Sequence, residues 1–247
     1  MFFKTIIKNF FNFLGFEISK KKQISIESDF LAVEASEQIK NIIRSCSKYS
    51  MTGELRMFVL SQAVKYVKTS NLKGDLVECG VWKGGNIILF QKLNLLYDLN
   101  KKIYAYDTFT GMSKPTKHDM SYNILAEEYL RTGPDICYSP YEEFFSNVSK
   151  ETDFKNIEII KGKVEDTLLN EKNLPESISI LRLDTDWYES TKIELEILYK
   201  RLVKGGVLIL DDYGHWTGAK KAVDEYFVDD DVWLHYVDYA CRYIIKR

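Results

Sequence analysis

What the chain has little of narrows the problem first. Proline is scarce, 4 in 247 residues, so long extended linkers are not expected. The four cysteines, Cys46, Cys79, Cys137 and Cys241, form no C-x-x-C pair and match no zinc spacing. They read as reduced thiols of a cytoplasmic protein, because disulfides concentrate in secreted chains. No charge of one sign dominates: 34 basic against 36 acidic residues leave −2, without the basic footprint that nucleic-acid binding rests on. No apolar run approaches the ~20 residues that span a bilayer. The apolar N-terminus is interrupted by Lys4 and Lys8 and is followed by no small-residue cleavage site, so it is not read as a signal peptide. Repeats and low-complexity tracts are also missing.

What remains is ordinary globular material, 45% apolar and 28% charged. Its length suits one large α/β domain or two small ones. Residues 1–22 stand apart. Phe3, Ile6, Ile7, Phe10, Phe13 and Leu14 recur at helical spacing and Lys20, Lys21 and Lys22 follow, which predicts an amphipathic helix. It is expected to pack on the protein's own body or on a partner subunit of a homo-oligomer. Membrane-surface contact is the alternative.

From about residue 55 the pattern becomes regular. Leu55, Phe58, Val59, Ala63, Tyr66 and Val67 form a helical stripe, with Thr52 as its expected N-cap. Short apolar runs follow at Asp75–Cys79, Ile103–Tyr106, Ile157–Ile160, Ile178–Leu183 and Val207–Leu210. Helical stretches lie between several of them. One is predicted over Thr191–Val203, opened by a Thr191-x-x-Glu194 capping box and ended by Gly205-Gly206. Strands alternating with helices mean βαβ units and a parallel sheet. The closing runs Val232–Val237 and Ala240–Ile245 are joined too closely for a crossover, so they must pair antiparallel. The connection after Tyr106 is far longer than a crossover needs, and residues 108–140 read as a lid-like insertion on the substrate side.

Four segments carry chemistry. Glu78-Cys79-Gly80-Val81-Trp82-Lys83-Gly84-Gly85-Asn86 follows a strand and opens a helix; the glycines are expected to let a ligand approach the backbone. Glu78 stands where the dinucleotide fingerprint has its first glycine, and a carboxylate there suits a cationic ligand. Asp107 ends the next strand, where an acid accepts from ribose hydroxyls. The segment Gly162–Leu168, with Val164 and Glu165, follows the third strand and is expected to line the same crevice. Asp184, Asp211 and Asp212 end the fourth and fifth strands at one sheet edge. Three carboxylates so placed repel one another unless a cation sits among them, and oxygen donors favour Mg²⁺ or Ca²⁺. Two-residue alternation puts Asp186 on the opposite face, where it should matter less.

These segments together resemble the macrocin O-methyltransferase family: GDLVECGVWKGGN (74–86), YAYDTFTGM (104–112), KPTKHD (114–119), LRLDTDWYESTKIELEILYKRLVKGGVLILDDYG (181–214) and GAKKAVDEYF (218–227). The likeness covers about residues 48–247. It departs at Asn86, where the family usually has Ser, and at Leu55, where it often has Glu. The resemblance implies a Rossmann-like class I methyltransferase fold: a seven-stranded, mostly parallel sheet with an antiparallel last strand. It implies a domain over 48–247 behind an N-terminal helical extension over 1–47. It implies S-adenosylmethionine held by Met51, Thr52, Glu78, Gly80, Asn86, Asp107, Val164 and Glu165, and Mg²⁺ on Asp184, Asp211 and Asp212. It implies methyl transfer to a sugar hydroxyl of a small molecule or glycan precursor. Catechol-type relatives have a lysine base three residues after the first metal-binding aspartate; here that position is Trp187. The proton is therefore expected to go to Asp184, with His118 of the insertion second. Two rival readings are a non-catalytic membrane-docking protein on a degenerate methyltransferase fold, and a metal-dependent hydrolase using the same acids.

Overall fold

The computed structural model describes residues 33–131 and 137–247; the predicted helix over 1–22 lies outside them, as does part of the insertion. The described elements, in chain order, are helices α1 (Glu37–Ser47) and α2 (Glu54–Thr69), strand β1 (Asp75–Cys79), α3 (Gly85–Leu96) and β2 (Ile103–Asp107). Within the insertion come a hairpin, β3 (Met120–Ser121) and β4 (Ile124–Leu125), and α4 (Ala126–Arg131). Then follow α5 (Tyr141–Glu151), β5 (Ile157–Lys161), the short α6 (Val164–Thr167), β6 (Ile178–Leu183), α7 (Tyr188–Ile197) and β7 (Leu202–Leu210). α8 (Thr217–Tyr226), β8 (His235–Tyr236) and β9 (Arg242–Ile245) close the chain.

The main sheet has the order β5-β2-β1-β6-β7-β9-β8. Its first five strands are parallel, and β9 runs antiparallel to both β7 and β8. The last strand alone is therefore reversed. β1 and β6 sit at the centre, buried from end to end except for Asp75, which is why both read as mainly apolar runs, broken by Glu78 in one and by Ser179 and Arg182 in the other. Helices cover both faces. One apolar layer takes Met57, Leu60 and Val64 of α2 with Ile87, Ile88 and Phe90 of α3; the other takes Leu195 of α7 and Val223 of α8. α1 belongs to the first layer, through Ile43 and Cys46. The expected break at 47/48 is therefore not a break in packing, because the residues on either side share one core.

Register fixes the site. Tyr106, Cys79, Leu183 and Leu210 are neighbours across four parallel strands. The next residues, Asp107 at the last position of β2 and Gly80, Asp184 and Asp211 just beyond their strands, consequently stand side by side at the carboxyl edge, where ligands of open α/β sheets bind.

Three local expectations are corrected. α2 is capped by Gly53, without a side-chain bond; the Thr52 hydroxyl is drawn instead to Asn86 and Arg182. α7 starts three residues before the predicted capping box, and Glu194, inside the helix, turns to accept from Thr185. The chain is already in β7 at Leu202, so Gly205-Gly206 lies within a strand, at an irregularity in its pairing with β6. Glycine signals a break in local backbone geometry; it does not say whether a helix or a strand is broken.

The insertion is pinned to the starts of α7 and α8. Trp187 Nε1 donates to Ser113 O at 2.9 Å and Thr217 Oγ1 to His118 O at 2.7 Å. Buried Asp119 accepts from the Tyr188 amide at 2.8 Å and from Thr116, supplying α7 with the N-terminal acceptor its own sequence lacks. Gly218 makes room for that carboxylate: a Cβ there would lie 1.8 Å from Asp119 Oδ1. Gly218→Ala is expected to displace Asp119 and cost about 1–3 kcal/mol, read by urea denaturation. An unchanged midpoint would show that the anchor is not needed.

Candidate active site

A cavity of about 320 Å³ opens at this carboxyl edge. Nine of the residues singled out in the sequence line it: Met51, Thr52, Gly80, Asp107, Val164, Glu165, Asp184, Asp211 and Asp212. The carboxylates of Asp184, Asp211 and Asp212 each bring an oxygen within 4.8 Å of the other two.

Glu78 and Asn86 stand behind the wall. Asn86 Nδ2 donates to Glu78 Oε1 at 2.9 Å and to Thr52 Oγ1 at 3.1 Å. Glu78 faces Arg182 across the β1–β6 pairing, and Arg182 Nη1 donates to Glu78 Oε1 at 2.6 Å. Arg182, 1% exposed, also reaches Asp184 Oδ2 at 2.7 Å, Asp211 Oδ1 at 2.5 Å and Thr52 Oγ1 at 2.9 Å. One guanidinium thus ties the end of β1 to the ends of β6 and β7. Arg56, in the first turn of α2, grips Asp238 through Nε and Nη2 at 2.6 and 3.1 Å and reaches Asp211 through Nη1.

The balance of charge is negative. Glu78, Asp184, Asp186, Asp211, Asp212 and Asp238 share this network with two guanidiniums. Burial pushes Glu78 up to about 7 against the pull of Arg182. Burial likewise raises Asp184 to about 6, with Arg182 opposing and Asp211 adding to the rise. Asp186 goes to about 7 by burial and the nearby Asp184 charge. Asp212 is pushed well above the usual range by burial and by Asp186, Asp184 and Asp211. Carboxylates held back from ionising are a site for a cation, and this donor set is all hard oxygen, as Mg²⁺ prefers. Glu78 Oε2 is buried without a protein partner, so its charge is left partly uncompensated behind the wall.

Two readings of the turn change. The Asp107 carboxylate accepts from the Val81, Trp82 and Phe109 amides at 2.8, 2.9 and 2.7 Å. It shapes the loop as well as lining the cavity. A Cβ on Gly80 would lie 2.0 Å from the Asp184 carbonyl oxygen. The glycine is therefore demanded by the close approach of two strand ends at a φ of +81°, rather than by a ligand.

Asp186 is not on the opposite face. The strand ends at Leu183, and Asp186 adopts a left-handed φ of +68°, which breaks the alternation. It lines the cavity, accepts from Trp216 Nε1 at 2.7 Å and donates its amide to Asp212 Oδ2 at 3.1 Å. His118 is absent from the lining. Its Nδ1 lies 3.1 Å from Lys221 Nζ and its ring packs on Tyr188, so its side chain is engaged with α8 instead of the cavity. The imidazole that does line the cavity is His215, pushed below its ordinary pKa by burial and by Arg56.

Arg56, Arg182, His215 and Tyr239 all escape the sequence reading, which named Asp186 but placed it on the wrong face. Arg182 left a signal: a charged residue inside an otherwise apolar strand. Tyr239 left none, since the turn between β8 and β9 delivers it.

The sequence profile of the macrocin-O-methyltransferase (TylF) family matches residues 12–246. The chain belongs to this family. It is an O-methyltransferase with the class I methyltransferase fold, and the hydrolase and non-catalytic readings fall away. Among its relatives, demethyldecarbamoylnovobiocin O-methyltransferase of Streptomyces niveus is 30% identical over 207 residues, 79% of this chain and 75% of that protein. The 8-demethyl-8-(2,3-dimethoxy-alpha-L-rhamnosyl)-tetracenomycin-C 4'-O-methyltransferase of Streptomyces olivaceus is 31% identical over 72% of this chain and 67% of its own. The solved structure of the O-methyltransferase NovP superposes with a TM-score of 0.71 at 29% identity, covering 80% of this chain and 82% of that one. Among the described residues of this family member, no helix is long and apolar enough to cross a membrane.

Proposed function

We propose that this enzyme transfers the methyl group of S-adenosylmethionine to a sugar hydroxyl, assisted by Mg²⁺ held by Asp184, Asp211 and Asp212. The observation that carries the reading is the convergence of these three carboxylates on the cavity that Gly80, Asp107, Val164 and Glu165 also line. The sugar is supported by the Streptomyces olivaceus relative, whose acceptor is a rhamnosyl group.

The bound donor supplies a sulfonium methyl, open to in-line displacement. Met51, Thr52, Gly80, Asp107, Val164 and Glu165 hold the donor, and such positioning contributes on the order of 7–11 kcal/mol. The Thr52 oxygen already accepts from Arg182 and Asn86, which leaves its own O–H to donate to the donor's carboxylate. Asp107 lines the cavity at the end of β2, where a ribose hydroxyl would meet its carboxylate. Glu78 contributes negative charge from behind the wall, and Asn86 holds Glu78 in place. A dication at the three aspartates would lower the pKa of an acceptor hydroxyl and orient a vicinal diol. Asp184, whose side chain stays 27% exposed to the cavity, is the carboxylate placed to take the hydroxyl proton.

Thermal melts with and without Mg²⁺ across pH test the metal. The raised pKa values of Asp184 (about 6) and Asp186 (about 7) have a definite sign. Their contribution to stability is fully present below the ordinary aspartate range and is lost as pH rises through about 6–7 in the metal-free protein. A cation binds the ionised carboxylates, so the Tm gain on adding Mg²⁺ should grow over the same interval and reach about 5 °C or more at saturation. A gain that is absent, or flat with pH, would remove Mg²⁺ from these aspartates.

A further inference from the structure

Tyr122 sits at the tip of the insertion's hairpin and is 81% exposed. It and Asn123 have φ of +48° and +66°, and Ser121 pairs with Ile124 across them. This is a two-residue turn of the type that favours Asn and Gly at both central positions. A bulky aromatic side chain is sterically disfavoured there, so local backbone geometry does not account for a tyrosine.

What the ring touches does account for it. Tyr122 meets the His215 ring edge-to-face, with centroids 6.2 Å apart. His215 is in turn edge-to-face with Tyr239 at 5.9 Å and with Trp216 at 4.8 Å. His215, Trp216 and Tyr239 line the cavity beside Asp184 and Asp212. Tyr239 has Arg56 over its ring at 5.7 Å and still keeps 56% of its surface exposed. His215 Nδ1 is buried without a protein partner. The mouth of the cavity thus has an aromatic wall and carboxylates beside it.

A pyranose ring matches this pair of surfaces. Its C–H face is apolar and its edge carries hydroxyls. A flat apolar ring would cover the wall equally well, but would bring no hydroxyl to the aspartates. We propose that Tyr122, His215 and Tyr239 form an aromatic clamp for the acceptor's sugar ring, closed by the lid hairpin through Tyr122. This rests on the sugar-acceptor reading above and adds to it the residues that select the ring. His215 Nδ1 holds one of the ring's hydroxyls, and the C–H face lies against Tyr239.

The test uses the full chain saturated with S-adenosylhomocysteine and Mg²⁺, and methyl α-L-rhamnopyranoside as the probe. Saturation-transfer NMR should show transfer from the aromatic protons to the sugar's ring protons. Tyr122→Ala and Tyr239→Ala should each weaken it about 3- to 10-fold, while Tyr239→Phe retains it. Trp233→Ala, which removes an aromatic ring outside the cavity lining, should leave it unchanged. With S-adenosylmethionine, methylation of the same glycoside should show the loss in KM. Calorimetry with S-adenosylhomocysteine checks that each variant is folded. Equal transfer in both alanine variants, or an equal loss in Trp233→Ala, overturns the clamp. If the alanine variants methylate the glycoside with the parent KM, the clamp fails and the sugar reading stands. If the parent binds S-adenosylhomocysteine but neither binds nor methylates the glycoside, the sugar reading fails and takes the clamp with it.

Discussion

Asp184→Asn is expected to lower turnover about 10²- to 10⁴-fold, the range for removing a general base, and extra Mg²⁺ is not expected to restore it. The substitution keeps the shape, and its amide oxygen can still accept from Arg182 Nη1. What disappears is a carboxylate able to take the acceptor's proton. Asp212→Asn is the control. Asp212 faces Asp186 and the other two aspartates but touches neither arginine, so its loss should act through the metal and be partly recovered by raising Mg²⁺. Asp211 is a poorer control, because its two oxygens anchor Arg56 and Arg182. Initial rates for each variant over a Mg²⁺ titration decide the matter. Recovery of Asp184→Asn at high Mg²⁺ would reassign Asp184 from base to ligand alone.

Arg182→Met is expected to destabilise the fold by about 3–5 kcal/mol, the cost of stranding buried charge. For a chain of this size that corresponds to a Tm drop on the order of 10 °C. The side chain lies within β6 with Glu78 opposite, and it donates to Glu78, Asp184 and Asp211 at once. Without it, three carboxylates face one another with Arg56, which bonds Asp211 alone of the three, as the remaining guanidinium. The deficit should shrink as pH falls toward about 7, because Arg182 pulls Glu78 down to that value in the intact protein and without it Glu78 takes up its proton at a higher pH. A second change, Glu78→Gln, should return part of the loss, since it removes one stranded charge; contacting residues are where such non-additivity is expected. Denaturation of the single and double variants at two pH values measures both effects. A deficit independent of pH would mean that Arg182 contributes packing rather than charge.

How much of this was legible depends on how local the signal is. The largely apolar runs at Asp75–Cys79, Ile103–Tyr106, Ile157–Ile160 and Ile178–Leu183 are strands at those places, because strands covered by helices on both faces of a parallel sheet are built mainly of apolar residues. The residues just beyond them, Asp107, Gly80, Asp184 and Asp211, follow from the strand ends, since parallel strands finish at the same edge. Glycine was ambiguous: Gly205-Gly206 read as a helix end and lies within β7. Thr191 and Glu194 carried a cap pattern in the middle of a helix whose real cap comes from Asp119, far away in sequence.

The sequence by itself determined the strand–helix alternation, the reversed last strand, the acid cluster and the family. Each of these rests on side chains a few residues apart, or on a row set by strand length. Tertiary structure alone decided which charges meet. It set Glu78 opposite Arg182, carried Asp238 and Tyr239 into the site on the turn between β8 and β9, turned Asp186 inward through one left-handed φ, and engaged His118 with Lys221 while His215 took a place in the cavity. These depend on cross-strand register and on single backbone dihedrals. Hydrophobic periodicity reports which face of a segment is buried, and it carries no record of the partner that face will find.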